Sequence, residues 1–456
     1  MALKAGYYGL KRRQVKKLDM LQPIYKLSDQ FELEDNELKL NSDIMNATVY
    51  GFEINGNESD PDKAVTYLRD AIGMSPSHIE YDSTNEIWGF NYGDWADAFF
   101  MPRPCMLKSD GTVDYYLSAA DYTKKEDGTT SSDVANTSYD GNAMMEWGQN
   151  GKKIWLKIEP VGTKSARVFI SDQKVDDGFN DYAFHDCTGK SADHFYTAIY
   201  NGSVISEKMR SLSGQAVSKG LQGTAEITAA RKNNAGSSVL WDIDVFADRL
   251  LINLLLVLMS KSLDMQTKFG QGATVSGTEA VNATFTTGVH NTKGLFYGTN
   301  SGTVADNTFG NVVKCFGMEN WYGYQWRRTQ GLILRAGKLM YKLTYGKEDG
   351  SNVVGYNTTG ENYKTAGDGA TGTSGNYIDA MKFTADGMFP ATLGGSSSTY
   401  YCDASWYNNS DNRFALFGAA SNRGGLAGGF ALDLTALVSV AYWTFGACLS
   451  CKPLAA

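Results

Sequence analysis

FALFGAASNRGGLAGGFALDLTAL, residues 414–437, and VAYWTFGACL, residues 440–449, contain two runs in which apolar side chains alternate with other residue types. In the first run, Phe430, Leu432 and Leu434 fall on one side of an extended chain, because successive side chains of a strand point to opposite faces. The second run alternates in a similar way. The pattern predicts two β-strands, each with a regular apolar face in the core and an opposite face of mixed residues that is free to vary.

The composition of residues 394–451 is biased, since these 58 positions contain no Lys, Glu, Gln or Met. The whole chain has 29 Lys, 16 Glu, 11 Gln and 15 Met among 456 residues, so a stretch of this length would carry about nine of them by chance. Codons that end in C or T never encode these four amino acids. Asparagine codons that are randomised at their adenines also never become stop codons. The bias therefore indicates a genetic origin, because folding alone does not exclude these four types together.

The length of 456 residues predicts more than one domain, since a domain has roughly 100–200 residues. Residues 1–45 begin with a basic stretch and are predicted to be an N-terminal segment for attachment or oligomerisation, or else a simple surface helix or tail. Residues 46–235 are predicted to be a mixed, β-rich intermediate region. That region is either separate from the C-terminal domain, residues 236–456, or an expanded part of it.

Four segments outside the C-terminal part carry clear local patterns. The Asp-Pro pair that opens residues 61–74 predicts a short amphipathic helix there. Residues 154–160 and 166–172 are predicted to be strands. Residues 241–272 give the strongest helix pattern in the chain, and their apolar side is so broad that the helix is expected to be buried against a sheet.

The charge and hydropathy of the chain exclude two classes of partner. A formal net charge of −8 argues against a nucleic-acid-binding protein, which needs a basic face. The most apolar run, Leu250–Met259, is too short to span a bilayer, which takes about 20 residues. We therefore expect a soluble protein without membrane insertion.

The C-terminal sequence resembles that of a known group of proteins. FALFGAASNRGGLAGGFALDL followed by WTFGACLSCKPLAA is similar to the variable region of proteins that are targets of diversity-generating retroelements. VVKCFGMENWYGYQWRR, residues 312–328, and the helix within residues 241–272 resemble tail-fibre-like proteins of gut bacteriophages. The resemblance implies an α+β protein with a C-terminal C-type-lectin-like fold of the formylglycine-generating-enzyme type, preceded by a β-rich N-terminal and intermediate region.

This resemblance also implies a function. It predicts a receptor-binding protein on the phage virion, made in the host cytoplasm, whose variable face binds a glycan or protein receptor on the host cell surface. Other phage tail proteins would contact its N-terminus, and the chain would form a homotrimer without a cofactor. Large aromatic side chains would add contact area at low entropic cost, as they do in antibody paratopes; they are Tyr400, Tyr401, Trp406, Tyr407 and Tyr442.

Residues of the receptor-binding face are carried over from the resemblance and from the outward positions of the two predicted strands. They are Tyr407, Ala420, Ser421, Asn422, Arg423, Leu426, Ala431, Asp433, Thr435, Ala436, Val440, Tyr442, Thr444 and Phe445, within a variable region of about 394–451.

Residues that could take part in catalysis or metal binding are interpreted mainly as structural. Cys448 and Cys451 form a CxxC pair, but a structural zinc site would need a second pair. The run 185–187, His-Asp-Cys, could suggest nucleophilic chemistry, yet adjacent side chains of an extended chain point apart. Asp-rich turns, such as the one at 176–177, and Asp403 could bind calcium but are more simply solvated carboxylates. Glu319, Asn320, Trp321, Arg327 and Arg328 are predicted to be core and framework residues.

Two alternatives stay open. The first is a display adhesin on a bacterial cell surface that uses the same variable domain. The second is an enzyme of the formylglycine-generating type or a glycan hydrolase, although no familiar catalytic motif is present in the sequence. We therefore expect a binding protein with neither a catalytic nor a metal site.

Overall fold

The computed structural model describes residues 31–34, 37–40, 46–236, 238, 240–273, 285–300, 312–346, 355–410 and 412–455. Strands account for 37% of the structure and helices for 11%, and the sheet curls into a half-barrel. The β-rich part of the predicted class is therefore confirmed, whereas helices are fewer than an α+β class implies. No helix in the described ranges is both long enough and apolar enough to cross a membrane.

The strands are numbered in chain order. They are β1 Phe31–Glu34, β2 Glu37–Leu40, β3 Val49–Ile54, β4 Val65–Arg69, β5 His78–Asp82, β6 Ile87–Asn91, β7 Arg103–Lys108, β8 Val113–Tyr116, β9 Gly141–Trp147, β10 Trp155–Val161, β11 Ser165–Ser171, β12 Phe195–Ala198, β13 Ser203–Ile205, β14 Lys208–Arg210, β15 Trp241–Ile243, β16 Lys314–Cys315, β17 Met318–Glu319, β18 Trp326–Arg335, β19 Lys338–Tyr341, β20 Lys364–Asp368, β21 Thr371–Gly372, β22 Asn376–Thr384, β23 Gly387–Leu393, β24 Ala404–Tyr407, β25 Asn412–Phe417, β26 Leu432–Leu434, β27 Phe445–Gly446 and β28 Leu449–Cys451.

The helices are few and mostly short. They are α1 Gly223–Arg231, α2 Phe246–Ser260 and α3 Met265–Phe269, with 3-10 helices at Gln149–Gly151, Tyr182–Phe184 and Ser421–Leu426.

A six-stranded sheet joins the C-terminus to the middle of the chain. Its strand order is β15-β28-β12-β9-β7-β8, so β28 lies between β15 and β12 and is antiparallel to both. Four of these strands precede residue 235 and two follow it. Strands from both sides of the boundary predicted between residues 235 and 236 therefore share one sheet.

The largest sheet contains most of the C-terminal half. Its order is β20-β19-β18-β25-β26-β24-β22-β23-β21, and β27 pairs in parallel with β18. A four-stranded sheet, β10-β11-β3-β4, confirms the two strands predicted at 154–160 and 166–172. The remaining pairs are the hairpins β1-β2, β5-β6, β13-β14 and β16-β17.

The helix predicted over residues 61–74 is wrong, because this segment contains strand β4. Asp60 does cap a turn, since its carboxylate accepts the Asp62 N–H at 3.1 Å, but the turn ends after Ala64. Val65 and Tyr67 are buried and Thr66 between them is exposed, which is the two-residue period of a strand. Pairing with β3 along its whole length therefore outweighs the local helix signal.

The predicted buried helix is confirmed in part, as α2. The helix begins at Phe246, five residues later than predicted, because Trp241–Ile243 pairs as β15. All its residues are buried, including the polar Asp248, Arg249 and Asn253, which agrees with the broad apolar side of the sequence. Lys261 adopts a left-handed conformation, with φ of 52°, and ends the helix.

The two strands predicted in the C-terminal segment are found only in fragments. The first is reduced to β26. The second is wrong over residues 440–444, which form a loop before β27 begins at Phe445. We call residues 435–444 the 435–444 loop.

Candidate functional site

Four strands of the large sheet bring one row of side chains together. Trp406 of β24 pairs with Asp433 of β26, and Asp433 pairs with Leu416 of β25. Leu416 in turn pairs with Arg328 of β18. Directly opposed residues of paired strands point to the same face, so these four side chains share one face of the sheet.

This face is more covered than the sequence predicts. Small side chains let the chain fold back over it and form a compact apolar cluster. The cluster contains Trp326, Leu416, Ala419, Ala420, Ala427, Ala431, Ala436 and Phe445, with Trp406 and Val440 at its margin. Both faces of β26 are buried, so the face opposite the core, whose residues the sequence analysis predicts to be free to vary, is itself covered at this strand.

The predicted face residues fall into three groups by exposure. Those that are buried are Ala420, Ser421, Ala431, Asp433, Ala436, Thr444 and Phe445. Those that are half-buried are Tyr407, Asn422, Arg423, Leu426, Thr435 and Val440. Tyr442 is the exposed one. Among the aromatic residues expected to add contact area, Tyr401 is buried and cannot do so.

The 3-10 helix at Ser421–Leu426 forms one margin of the face. The Arg423 guanidinium lies 5.2 Å from the centre of the Trp406 ring, within range of a cation–π contact. The side-chain amide of Gln266, in α3, donates to the carbonyls of Gly424 and Ala427 at 3.0 and 2.7 Å. The helix is therefore held in place by α3, and its half-buried Arg423 packs against Trp406.

Asp433 fixes the start of the 435–444 loop. One carboxylate oxygen accepts both the Thr435 N–H, at 2.7 Å, and the Thr435 hydroxyl, at 2.6 Å. The Arg413 guanidinium donates to the Thr435 carbonyl at 2.9 Å. Burial raises the pKa of Asp433, and the hydrogen bonds from Thr435 oppose that rise.

The 435–444 loop, TALVSVAYWT, carries the most exposed apolar surface near this face. Leu437 is 36% exposed and Tyr442 is 49% exposed. Ser439 and Ala441 are also exposed, and the loop has no Asp, Glu, Lys or Arg. An exposed run of this kind is typical of an interaction surface.

Most backbone carbonyls of the loop already accept hydrogen bonds from the rest of the protein. The carbonyls with such a partner are those of Thr435, Ala436, Val438, Val440, Tyr442 and Thr444, and the Leu437 carbonyl accepts the Val440 N–H within the loop. The loop is consequently held in one conformation without being part of a sheet, which is why the predicted strand does not form.

Arg328 and α1 hold the loop from the inside. One Arg328 nitrogen forms a buried ion pair with Glu226 of α1, and another donates to the Val440 carbonyl at 2.6 Å. The Gly223 N–H, at the start of α1, donates to the Val438 carbonyl at 2.8 Å. A Cβ at Gly223 would lie 2.9 Å from the Val438 side chain, so a glycine is needed for this close approach.

The pKa of the Glu226 carboxyl group is strongly shifted. Burial raises its pKa to about 7, although the neighbouring Arg328 charge lowers it. Because the folded pKa lies above the unfolded value of about 4.3, the folded state binds the proton more tightly. The contribution of Glu226 to stability is therefore largest at low pH and is lost as the pH rises towards 7.

We expect the Glu226→Gln variant to remove this pH dependence. The free energy of unfolding of the wild type, relative to that of E226Q, should fall by up to about 3 kcal/mol between pH 4.5 and 7. Urea unfolding at several pH values measures this difference. A difference that stays constant, or that grows with pH, would show that the carboxyl is not protonated in the folded protein.

The other residues that could take part in catalysis or metal binding are buried or make structural contacts. Cys448 and Cys451 are buried free thiols. His185 contacts the Asp181 carboxylate at 3.0 Å, and the buried Asp403 accepts the Phe430 N–H at 2.7 Å. Asp176 pairs with Lys157 at 2.9 Å. Within the described ranges, His, Cys, Asp and Glu side chains nowhere gather in a group of three or more that could hold a metal ion.

The framework residues of the sequence analysis lie where they were expected. Glu319, Asn320, Trp321, Arg327 and Arg328 are all buried.

Sequence reasoning missed several residues of this site. Leu437, Ser439 and Ala441 were not selected because they were assigned to a strand or left between two strands. The signal that could have found them is the run of ten residues without a charge. Glu226 was missed because nothing local to α1 indicates its partner.

A scan of the sequence against protein-family models finds no matching family, and a search of curated proteins finds no matching relative.

Proposed function

We propose that this chain is a bacteriophage receptor-binding protein, located at the tip of a tail fibre, that binds a receptor on the surface of the host cell. In this proposal residues 236–456 have a C-type-lectin-like fold of the formylglycine-generating-enzyme type. The chain assembles as a homotrimer on the virion, and residues 1–45 attach it to other tail proteins.

One observation carries the proposal: the segment with the biased composition contains an exposed, uncharged loop on a rigid support. The 435–444 loop lies within residues 394–451, and its exposed side chains can change without breaking the contacts that hold its backbone. A binding protein that is diversified by mutation needs this separation between a fixed scaffold and replaceable side chains. Many copies on one virion would compensate for weak binding by each copy.

The burial of the predicted face residues refines this proposal. In the refined proposal, the residues that contact the receptor are Tyr442, Val440, Thr435, Arg423 and Asn422, together with Leu437. Buried positions such as Ala420 and Ala431 would act by shaping the loops above them.

We favour binding over catalysis because candidate residues named above make structural contacts: His185 contacts Asp181, Asp403 accepts the Phe430 N–H and Asp176 pairs with Lys157. The distinction from a bacterial display adhesin depends on the genes beside this one. Neighbouring genes for tail proteins would support the phage protein, and neighbouring genes for proteins with signal peptides would support the adhesin.

The first test is deep sequencing of the coding DNA for residues 394–451 in the natural source population. We expect substitutions to concentrate at the exposed and half-buried positions named above and to correspond to adenines of asparagine codons in a template repeat. Codons for Gly428 and Asp403, which lie in the same window, serve as the internal control and should not vary. An invariant segment would contradict diversification.

A further inference from the structure

Asparagine is followed directly by glycine at three positions, and the structure gives the three pairs different surroundings. They are residues 55–56, 150–151 and 201–202. An Asn-Gly pair is prone to deamidation, because glycine has no Cβ to hinder the approach of its backbone nitrogen to the preceding side-chain amide. The reaction also requires that the amide and the peptide group rotate into contact. Burial and hydrogen bonding of these groups therefore decide which pair reacts.

The first pair is held in place by hydrogen bonds and packing. The Gly56 N–H donates to the Ser165 hydroxyl at 3.0 Å. A Cβ at Gly56 would lie 2.1 Å from the Lys164 carbonyl oxygen, so the glycine packs closely against that backbone. The Asn55 side-chain oxygen accepts the Asn57 N–H at 3.1 Å. The nitrogen that would attack and the amide that would be attacked are both engaged, although Asn55 itself is exposed.

Both residues of the third pair are buried. Asn201 is 1% exposed, and its side-chain oxygen accepts a hydrogen bond from the Asn320 side-chain amide at 2.8 Å. The Gly202 N–H donates to the Ala447 carbonyl at 3.0 Å. A Cβ at Gly202 would lie 2.4 Å from that carbonyl oxygen. The reaction at this pair therefore requires local opening of the protein.

The second pair lies in the turn between β9 and β10, and both of its residues are exposed. A Cβ at Gly151 would meet no atom within 4 Å apart from its own chain neighbours. Asn150 is in the left-handed region, with φ of 56° and ψ of 34°. The turn is a 3-10 helix of only three residues without a side-chain cap, and such a turn opens easily. The space around this pair lets the backbone and the amide rotate towards each other.

We propose that Asn150 is a site of spontaneous deamidation in the folded protein, and that the other two Asn-Gly pairs are protected. The Gly151 nitrogen loses its proton to hydroxide and attacks the side-chain carbonyl carbon of Asn150. A C–N bond forms, the bond from that carbon to the amide nitrogen breaks, and the amide nitrogen takes a proton from water and leaves as ammonia. Water then opens the succinimide ring at either carbonyl, which gives aspartate or isoaspartate.

The modification changes the charge of this turn. One neutral amide becomes a carboxylate, so the formal net charge of the chain changes from −8 to −9. The new carboxylate lies two residues before Lys152, which forms an ion pair with Asp172 at 2.6 Å. Isoaspartate also adds one carbon atom to the backbone of the turn. The site lies outside residues 394–451, and this inference does not depend on the proposed receptor-binding function.

The experiment follows all three pairs in one sample of the full-length protein. The protein is incubated in mildly alkaline buffer, digested at intervals under mildly acidic conditions and analysed by peptide mass spectrometry, which quantifies aspartate and isoaspartate at each pair. A parallel sample in urea is the control, because unfolding removes the differences in surroundings. The variant Ser165→Ala removes the acceptor of the Gly56 N–H, and Ser83→Ala at an exposed turn is its matched control.

We expect Asn150 to deamidate at least tenfold faster than Asn55 and Asn201 in the folded protein, whereas the three rates in urea should differ less than threefold. S165A should accelerate the reaction at Asn55 at least threefold, and S83A should leave it unchanged. Equal rates at the three pairs in the folded protein would overturn the proposal. So would an Asn150 that stays intact while the urea sample reacts. An unchanged rate at Asn55 in S165A would overturn the protective role of the Ser165 hydrogen bond.

Discussion

Replacing Arg328 by alanine should lower the free energy of unfolding by about 3–5 kcal/mol at pH 8. The guanidinium is 1% exposed and is the ion-pair partner of the buried Glu226. Its removal leaves that carboxylate without compensation in the protein interior. It also removes the donor to the Val440 carbonyl, which lies 2.6 Å from an Arg328 nitrogen.

The loss should be smaller at pH 5, because Glu226 is then protonated and needs no counter-charge. Denaturant unfolding at the two pH values measures both effects. Hydrogen exchange of the amides in the 435–444 loop should also become faster in R328A, since an internal support of the loop is gone.

Two further variants test the cause. Arg335 lies at the exposed end of the same strand, so Arg335→Ala should change stability by less than about 0.5 kcal/mol. The double variant Arg328→Met with Glu226→Met removes both charges and should be more stable than R328A alone. A loss below about 1 kcal/mol for R328A at pH 8 would show that Glu226 does not depend on Arg328.

The parts of this fold that could be predicted from sequence are those whose pattern is local. The α2 helix has a long apolar run broken only by Asn253, and strand β10 alternates regularly, so their positions follow from the sequence pattern. Strand β11 alternates only as far as Val168 and is then apolar and buried on both faces. The helix predicted at 61–74 failed because a cap and a first turn do not decide the conformation of the next residues. The pairing of β4 with β3 decided it.

The site depends on contacts that no local pattern reveals. Arg328 and Glu226 are 102 residues apart, and neither sequence neighbourhood indicates the other. The alternation in residues 429–437 contains β26 but extends beyond it at both ends, and it gave no sign that the second face is covered. The alanines that let the chain cover that face, such as Ala420 and Ala431, are unremarkable in sequence. Composition therefore singled out residues 394–451, whereas the exposure of these residues required the structure.

Replacing Gly428 by alanine should lower the free energy of unfolding by about 2–4 kcal/mol. A Cβ at this position would lie 1.9 Å from one Asp403 carboxylate oxygen and 2.4 Å from its carboxyl carbon. Asp403 is fully buried, and its other oxygen accepts the Phe430 N–H at 2.7 Å. The side chain cannot move aside without losing this hydrogen bond, which fixes the chain just before β26. Thermal and urea unfolding measure the loss.

Gly425 provides the control within the same segment. The nearest atom to a Cβ there is the Tyr377 hydroxyl oxygen at 3.4 Å, so Gly425→Ala should cost less than about 1 kcal/mol. If the clash with Asp403 is the cause, adding Gly428→Ala to the Asp403→Ala variant should cost little further stability. Equal losses for G425A and G428A would contradict this account. The diversification that we propose would then have to spare the codon of Gly428, which lies between the candidate variable positions Leu426 and Ala431.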